Sequence, residues 1–191
     1  MNLDPALHYL AVCVIALVFV HAAISKVLAR DEFQGVLGNY RLLPVAVVAP
    51  VAALLPLAEL AAGAGVLSAS TRPYAASLAV ALLLLYALAM GINLARGRRD
   101  IDCGCFRSAL KQTISGWLIG RNLLLAGAAA ALLLPVSGRA TGLLDYVTVG
   151  AGGAMLFLCC YGVGALTRRP VTRFDAAFAD PPAVKAGWKQ L

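Results

Sequence analysis

Apolar residues gather in five long runs along this chain, and polar residues fall almost entirely between them. The runs cover approximately residues 7–28, 45–67, 74–95, 117–135 and 143–166. Each is long enough for a helix to cross a hydrocarbon core of roughly 30 Å. Lipid offers no hydrogen bonds to an isolated strand, whereas a helix pairs its own backbone groups. The pattern therefore predicts an all-α, polytopic membrane bundle of five transmembrane helices over residues 1–167. A short polar tail, 168–191, follows it, and Asp180-Pro181-Pro182 argues against a continuous helix there.

Between the runs, the segment from Ala29 to Pro44 carries Phe33, Val36, Leu37 and Tyr40 at helical spacing, which predicts a short interfacial helix. Residues 68–73 read as a tight turn. Asp4-Pro5 is a helix start, and the apolar run from Ala11 continues into a full-length span, so the first helix reads as uncleaved. Small residues cluster at 61–65, at Gly127 with Ala131, and at Gly150 with Ala154, which favours close helix approach.

Composition agrees with a membrane environment. The hydrophobic class makes up 61% of the chain and charged residues only 13%, against about 25% charged in soluble domains; the mean hydropathy is +0.84. The net charge of +7 would suit nucleic acid, but its distribution excludes that reading. Lys26, Arg30, Arg41, Arg96, Arg98, Arg99, Arg107, Lys111, Arg168, Arg169, Arg173, Lys185 and Lys189 border one side of the spans, while Arg72 and Arg139 border the other. Excess Lys and Arg mark the cytoplasmic side. The expectation is a bacterial inner-membrane protein with a periplasmic N-terminus and a cytoplasmic C-terminus, its partners including membrane lipid and no nucleic acid.

The most informative chemistry is Cys103-Gly104-Cys105, in the charge-rich third loop. One intervening glycine lets the two Cα atoms approach to about 5.5–7 Å, overlapping the disulfide range with strain. Strain makes such a bond easier to reduce and so suited to exchange. Arg98, Arg99, Arg107 and Lys111 favour thiolates, partly opposed by Asp100 and Asp102. Redox exchange is the leading reading; a pair of ligands from an incomplete metal site, or two ordinary thiols, are the alternatives. No metal site is assigned.

Inside the spans, Cys13, Cys159 and Cys160 have packing as their default role. Cys159 and Cys160 lie toward the same side as the Cys103/Cys105 loop, which leaves a relay open. Glu59 is the one acid deep in a span and must be neutral, paired or turned inward. His21 is its nearest partner by depth, with Lys26 nearer the inner surface. A structural hydrogen bond is the plain reading of Glu59; proton handling or a quinone-side role is the sharper one. Arg121 reads as an anchor that snorkels to head groups, and Asn122 as an interhelical bond. No cofactor is firmly assigned, and a quinone is the candidate left open.

Ser25-Lys26, Pro56-x-x-Glu59-x-x-x-Gly63, Asp102-Cys103-Gly104-Cys105-Phe106 and Arg121-Asn122 together resemble the MauE family of methylamine-utilisation membrane proteins. That family lies within a wider DoxX-related group of small redox-associated membrane proteins. The resemblance runs from Leu10 to about Leu166; the family pattern often continues the cysteine motif with Gly, where this chain has Arg107. It implies a role in maturation of the disulfide-rich small (beta) subunit of periplasmic methylamine dehydrogenase, alongside a MauD-like thioredoxin-fold protein. Cys103 and Cys105 would then carry thiol–disulfide exchange. A non-redox membrane assembly or transport factor for the same pathway is the alternative, and whether the protein is itself an enzyme stays open. The arginines around the pair place it inside, while the implied partner lies outside.

Overall fold

The computed structural model describes residues 2–98 and 114–166. They form six helices: α1 (Pro5–Leu28), α2 (Arg30–Asn39), α3 (Val45–Gly65), α4 (Arg72–Ala95), α5 (Gly116–Ala131) and α6 (Leu143–Leu166). The fold is an all-helical membrane bundle; among the described residues the one extended contact is a single backbone bridge between Leu3 and Val136. Helices α1, α3 and α4 are long and apolar enough to cross a bilayer.

The fourth expected span is shorter than its apolar window. Helix α5 has 16 residues, about 24 Å at 1.5 Å per residue. Leu132, Leu133 and Leu134 then donate to carbonyls only three residues back, on Ala129, Ala130 and Ala131. Pro135 explains this ending, because the residue before a proline is driven out of the helical region. The expected helix at 29–44 forms as α2, with Phe33 and Tyr40 buried. Its apolar stripe packs into the protein.

Helix α1 packs against α2, α3, α5 and α6, and α4 packs most extensively on α5. Ile15, Ala62, Val66, Ala76, Ala79 and Ala129 are wholly buried in the shared core. The small-residue clusters do not act alike. A Cβ on Gly63 would lie 3.0 Å from both Phe19 Cβ and the Val20 backbone nitrogen, and one on Gly65 would lie 2.7 Å from Ala75 Cβ. A Cβ on Gly127 or Gly150 would meet nothing within 4 Å. Gly63 and Gly65 thus set the spacing of α3 against α1 and α4. Gly63→Ala should destabilise the bundle by about 1–3 kcal/mol through overpacking, whereas Gly127→Ala should be neutral; thermal unfolding in detergent compares them.

The helices alternate so that one end of the bundle gathers Asp4, Arg72, Arg139 and Asp145. Arg72 donates to Val66 O (2.9 Å) and Thr71 Oγ1 to Gly65 O (2.7 Å), closing the C-terminal carbonyls of α3. Arg72 Nη1 also meets His8 Nε2 at 3.0 Å. Asp4 caps α1 by accepting from the Ala6 N–H at 2.9 Å, and Arg139 bridges Asp4 (3.2 Å) and Asp145 (2.9 Å). The Ala6 N–H and then Arg139 hold the Asp4 carboxyl below its ordinary value of 3.8. A carboxylate with a lowered native pKa stabilises at neutral pH and loses that contribution as pH falls through the native value. Acidification below 3.8 should therefore loosen this end, and Asp4→Asn should reduce that acid-dependent step in hydrogen exchange near Leu3, leaving the part carried by the Arg139–Asp145 pair.

Candidate functional site

The opposite end, where α2 lies, holds the buried charges. Lys26 stands in the last turn of α1 and Glu59 in the middle of α3. These helices run antiparallel, since Gly63 abuts Phe19 and Val20 while Glu59 reaches Lys26. Helical side chains tilt toward their own N-terminus, so the two side chains converge. Lys26 Nζ donates to Glu59 Oε1 at 2.7 Å, and the two side chains are 5% and 1% exposed. Tyr86, from α4, donates its hydroxyl to the same oxygen at 2.8 Å. The ammonium also lies 5.3 Å from the Phe33 ring centre and 5.6 Å from that of Tyr86, within the cation–π range of about 6 Å.

Glu59 is therefore paired, as burial in a span demands, but its hydrogen-bond partners are Lys26 and Tyr86 and not His21. The register explains the correction. With Gly63 fixed against Phe19 and Val20, Glu59 lies one turn earlier on α3 and so one turn farther along α1. That position is past His21, toward Lys26. His21 is half-buried. Glu59 Oε2 is buried without a hydrogen-bond partner among the described residues.

Beside this triad lies a cavity of about 350 Å³. Phe33, Tyr40, Leu55, Tyr86 and Met90 form much of its wall, with Lys26 beside them. The α2 stripe anticipated from helical spacing, Phe33, Val36, Leu37 and Tyr40, faces this space.

The chain segment that carries Cys103 and Cys105 leaves and returns at the same end. Helix α4 closes with Gly97 at φ +74°, Arg98 N bonded to Asn93 O and Gly97 N to Leu94 O. This paired pattern needs a left-handed residue, which glycine adopts without strain. Arg98 Nη1 donates to Asn93 Oδ1 (3.2 Å) and points to Tyr40 O (3.5 Å). Asn93 is wholly buried and donates to Ala89 O. Where the described chain resumes, Ile114 is buried with Tyr40, Met90 and Leu118. Cys103 and Cys105 themselves lie outside the described residues.

The remaining candidates are placed as follows. Asn122 is buried in α5, and its Nδ2 lacks a hydrogen-bond partner among the described residues; Arg121 beside it is half-buried. Cys159 and Cys160 fall in the α6 backbone, with side chains outside what is described. Cys13 is a free thiol facing Gly153 of α6. Sequence reasoning missed Tyr86, Asn93 and the His8–Arg72 contact. Tyr86 and Asn93 stand as polar tips in an otherwise apolar span, which is the signal that marks them.

Residues 4–135 match the family model described as "Methylamine utilisation protein MauE". The chain belongs to the MauE family. It is 41% identical over 169 residues to methylamine utilization protein MauE of Paracoccus versutus, covering 87% of this chain and 90% of the relative. It is 38% identical over 174 residues to the protein of that name from Methylophilus methylotrophus, covering 89% and 90%. With the Methylorubrum extorquens protein of that name it shares 40% identity over 153 residues, covering 79% and 82%. No solved structure matches the chain. Lys26, Glu59, Tyr86, Cys103 and Cys105 all fall inside the range matched by the family model. A place in methylamine utilisation follows from that membership.

Proposed function

We propose that this protein is an inner-membrane maturation factor for the disulfide-rich small subunit of methylamine dehydrogenase. In this reading it assists thiol–disulfide exchange through Cys103 and Cys105, working with a MauD-like thioredoxin-fold partner. The supporting observation is the pairing of MauE-family membership with a Cys-Gly-Cys motif, the closest-spaced thiols outside the apolar runs.

The chemistry is a relay of bonds. A thiolate of one protein attacks the disulfide of the other, forming a mixed disulfide and releasing one sulfur as thiolate. The neighbouring cysteine then attacks the mixed bond, so one disulfide forms as the other is reduced. Two electrons and two protons change hands, and no outside reagent is needed for the exchange itself. The arginine bias around the pair supports a cytoplasmic position for it, with the N-terminus periplasmic and the C-terminus cytoplasmic. Two electrons would then leave the thiols of a periplasmic substrate and pass across the bundle to the pair, as the substrate becomes the disulfide and the pair the dithiol.

The test is a strain lacking this protein, complemented by wild type or by the double variant Cys103→Ser/Cys105→Ser. Thiol alkylation followed by mass measurement reads the disulfide state of the small subunit. Wild type should give the fully oxidised subunit, and the double variant a reduced or degraded one. Full maturation by the double variant would replace this reading with a non-redox assembly or transport role.

A further inference from the structure

We propose that the cavity beside Lys26 seats one acyl chain of an anionic phospholipid, whose phosphate is held at the rim by Arg41 and Arg98. The lining is almost wholly apolar, although Lys26, Tyr40 and Tyr86 contribute to it. The bonds of two of them explain why. Lys26 Nζ and the Tyr86 hydroxyl both turn to Glu59 Oε1, at 2.7 and 2.8 Å. The lysine therefore offers the cavity its methylene stem, and the tyrosine its ring. An occupant meets no hydrogen-bonding group inside, which selects hydrocarbon and keeps a polar head out.

Hydrocarbon is at hand. Leu43, just before α3, and Leu85, on α4, belong to the wall and are 36% and 53% exposed on the apolar outside of the bundle. They open the cavity toward the lipid. Left empty, a space of about 350 Å³ deprives its wall of dispersion contacts, and water does not fill an apolar void. A lipid chain entering between Leu43 and Leu85 restores those contacts.

The rim selects the head group. Tyr40 lines the cavity, and Arg98 Nη1 lies 3.5 Å from its carbonyl oxygen and 3.2 Å from Asn93 Oδ1. Arg41 follows Tyr40 at φ +48°. That turn sets an exposed arginine between two wall residues, Tyr40 and Leu42. Among the described residues neither guanidinium pairs with a carboxylate. Both stand at the end of the bundle, where a lipid whose chain runs inward carries its phosphate. A guanidinium binds phosphate through paired N–H donors, and two uncompensated cations favour a lipid of net negative charge over a zwitterion. The inference goes beyond the thiol reading and uses neither Cys103 nor Cys105.

The experiment titrates the delipidated full chain in detergent with dioleoylphosphatidylglycerol, dioleoylphosphatidylcholine or oleate, and native mass spectrometry counts the molecules retained. Wild type should bind phosphatidylglycerol saturably and about tenfold more tightly than phosphatidylcholine, the scale of one hydrogen bond to a charged group. Ala89→Phe, which fills the cavity, should lose both lipids. Arg41→Gln/Arg98→Gln should still bind lipid but no longer distinguish the two. If Ala89→Phe fails to fold, Leu37→Trp is the second cavity-filling variant. No saturable binding by wild type, equal affinity for the two phospholipids, tighter binding of oleate, full binding by a folded filled variant, or a preference that survives the arginine changes would overturn it. Thiol exchange is not scored, so failure of the thiol reading leaves this result intact.

Discussion

Lys26→Met should destabilise the bundle by roughly 3–5 kcal/mol, because it strands the Glu59 carboxylate in an apolar interior. Lys26 and Glu59 are 5% and 1% exposed, so solvent screens neither. Glu59→Leu should cost a similar amount by stranding the ammonium, which would keep only the two aromatic faces. The double variant Lys26→Met/Glu59→Leu should be milder than either single one, since matched apolar side chains replace both charges without leaving one behind. Tyr86→Phe removes only the 2.8 Å hydrogen bond to the carboxylate, and about 1.5–3 kcal/mol is the scale for a bond to a charged group. Unfolding in mixed detergent micelles measures all four. A double variant as unstable as the sum of the singles would show that the pair is not one unit.

Cys103→Ser or Cys105→Ser should each abolish accumulation of the mature methylamine dehydrogenase small subunit while leaving the variant protein in the membrane. Serine keeps the size of cysteine but forms no disulfide. The two variants should differ in mechanism: removing the attacking cysteine prevents the mixed disulfide, and removing the resolving one lets it accumulate. Cys13→Ser should have no such effect, because Cys13 faces Gly153 within the bundle and packs there as a small apolar residue. Immunoblotting of the small subunit, set against the membrane level of each variant, reads the outcome.

Much of the architecture is legible in the apolar runs, because a bilayer constrains length and backbone pairing more severely than water does. The end of α5 was also written in the chain, at Pro135, but the apolar run continues through it and conceals the break. Glu59 announced that it needed a partner without saying which. Depth counted along α1 and α3 points to His21, and only the close approach at Gly63 shifts the register to Lys26. Tyr86 comes from a third helix, so its meeting with Glu59 depends on how α4 rotates against α3, which composition does not encode. The α2 stripe was plain from its spacing, yet the cavity it lines arises only once α3 and α4 stand beside it. The cysteine pair is the reverse case: its chemistry is readable from two sulfurs and a glycine, and its proposed partner follows from family membership.

The most direct test of the exchange mechanism is a trap for its covalent intermediate. Cells expressing the single variants Cys103→Ser and Cys105→Ser are quenched in acid, alkylated and run without reductant. One of the two should show a higher-mass adduct with a thioredoxin-fold protein, and reductant should dissolve it. Absence of an adduct from both variants, in cells where the double-serine protein still yields oxidised subunit, would contradict the mechanism.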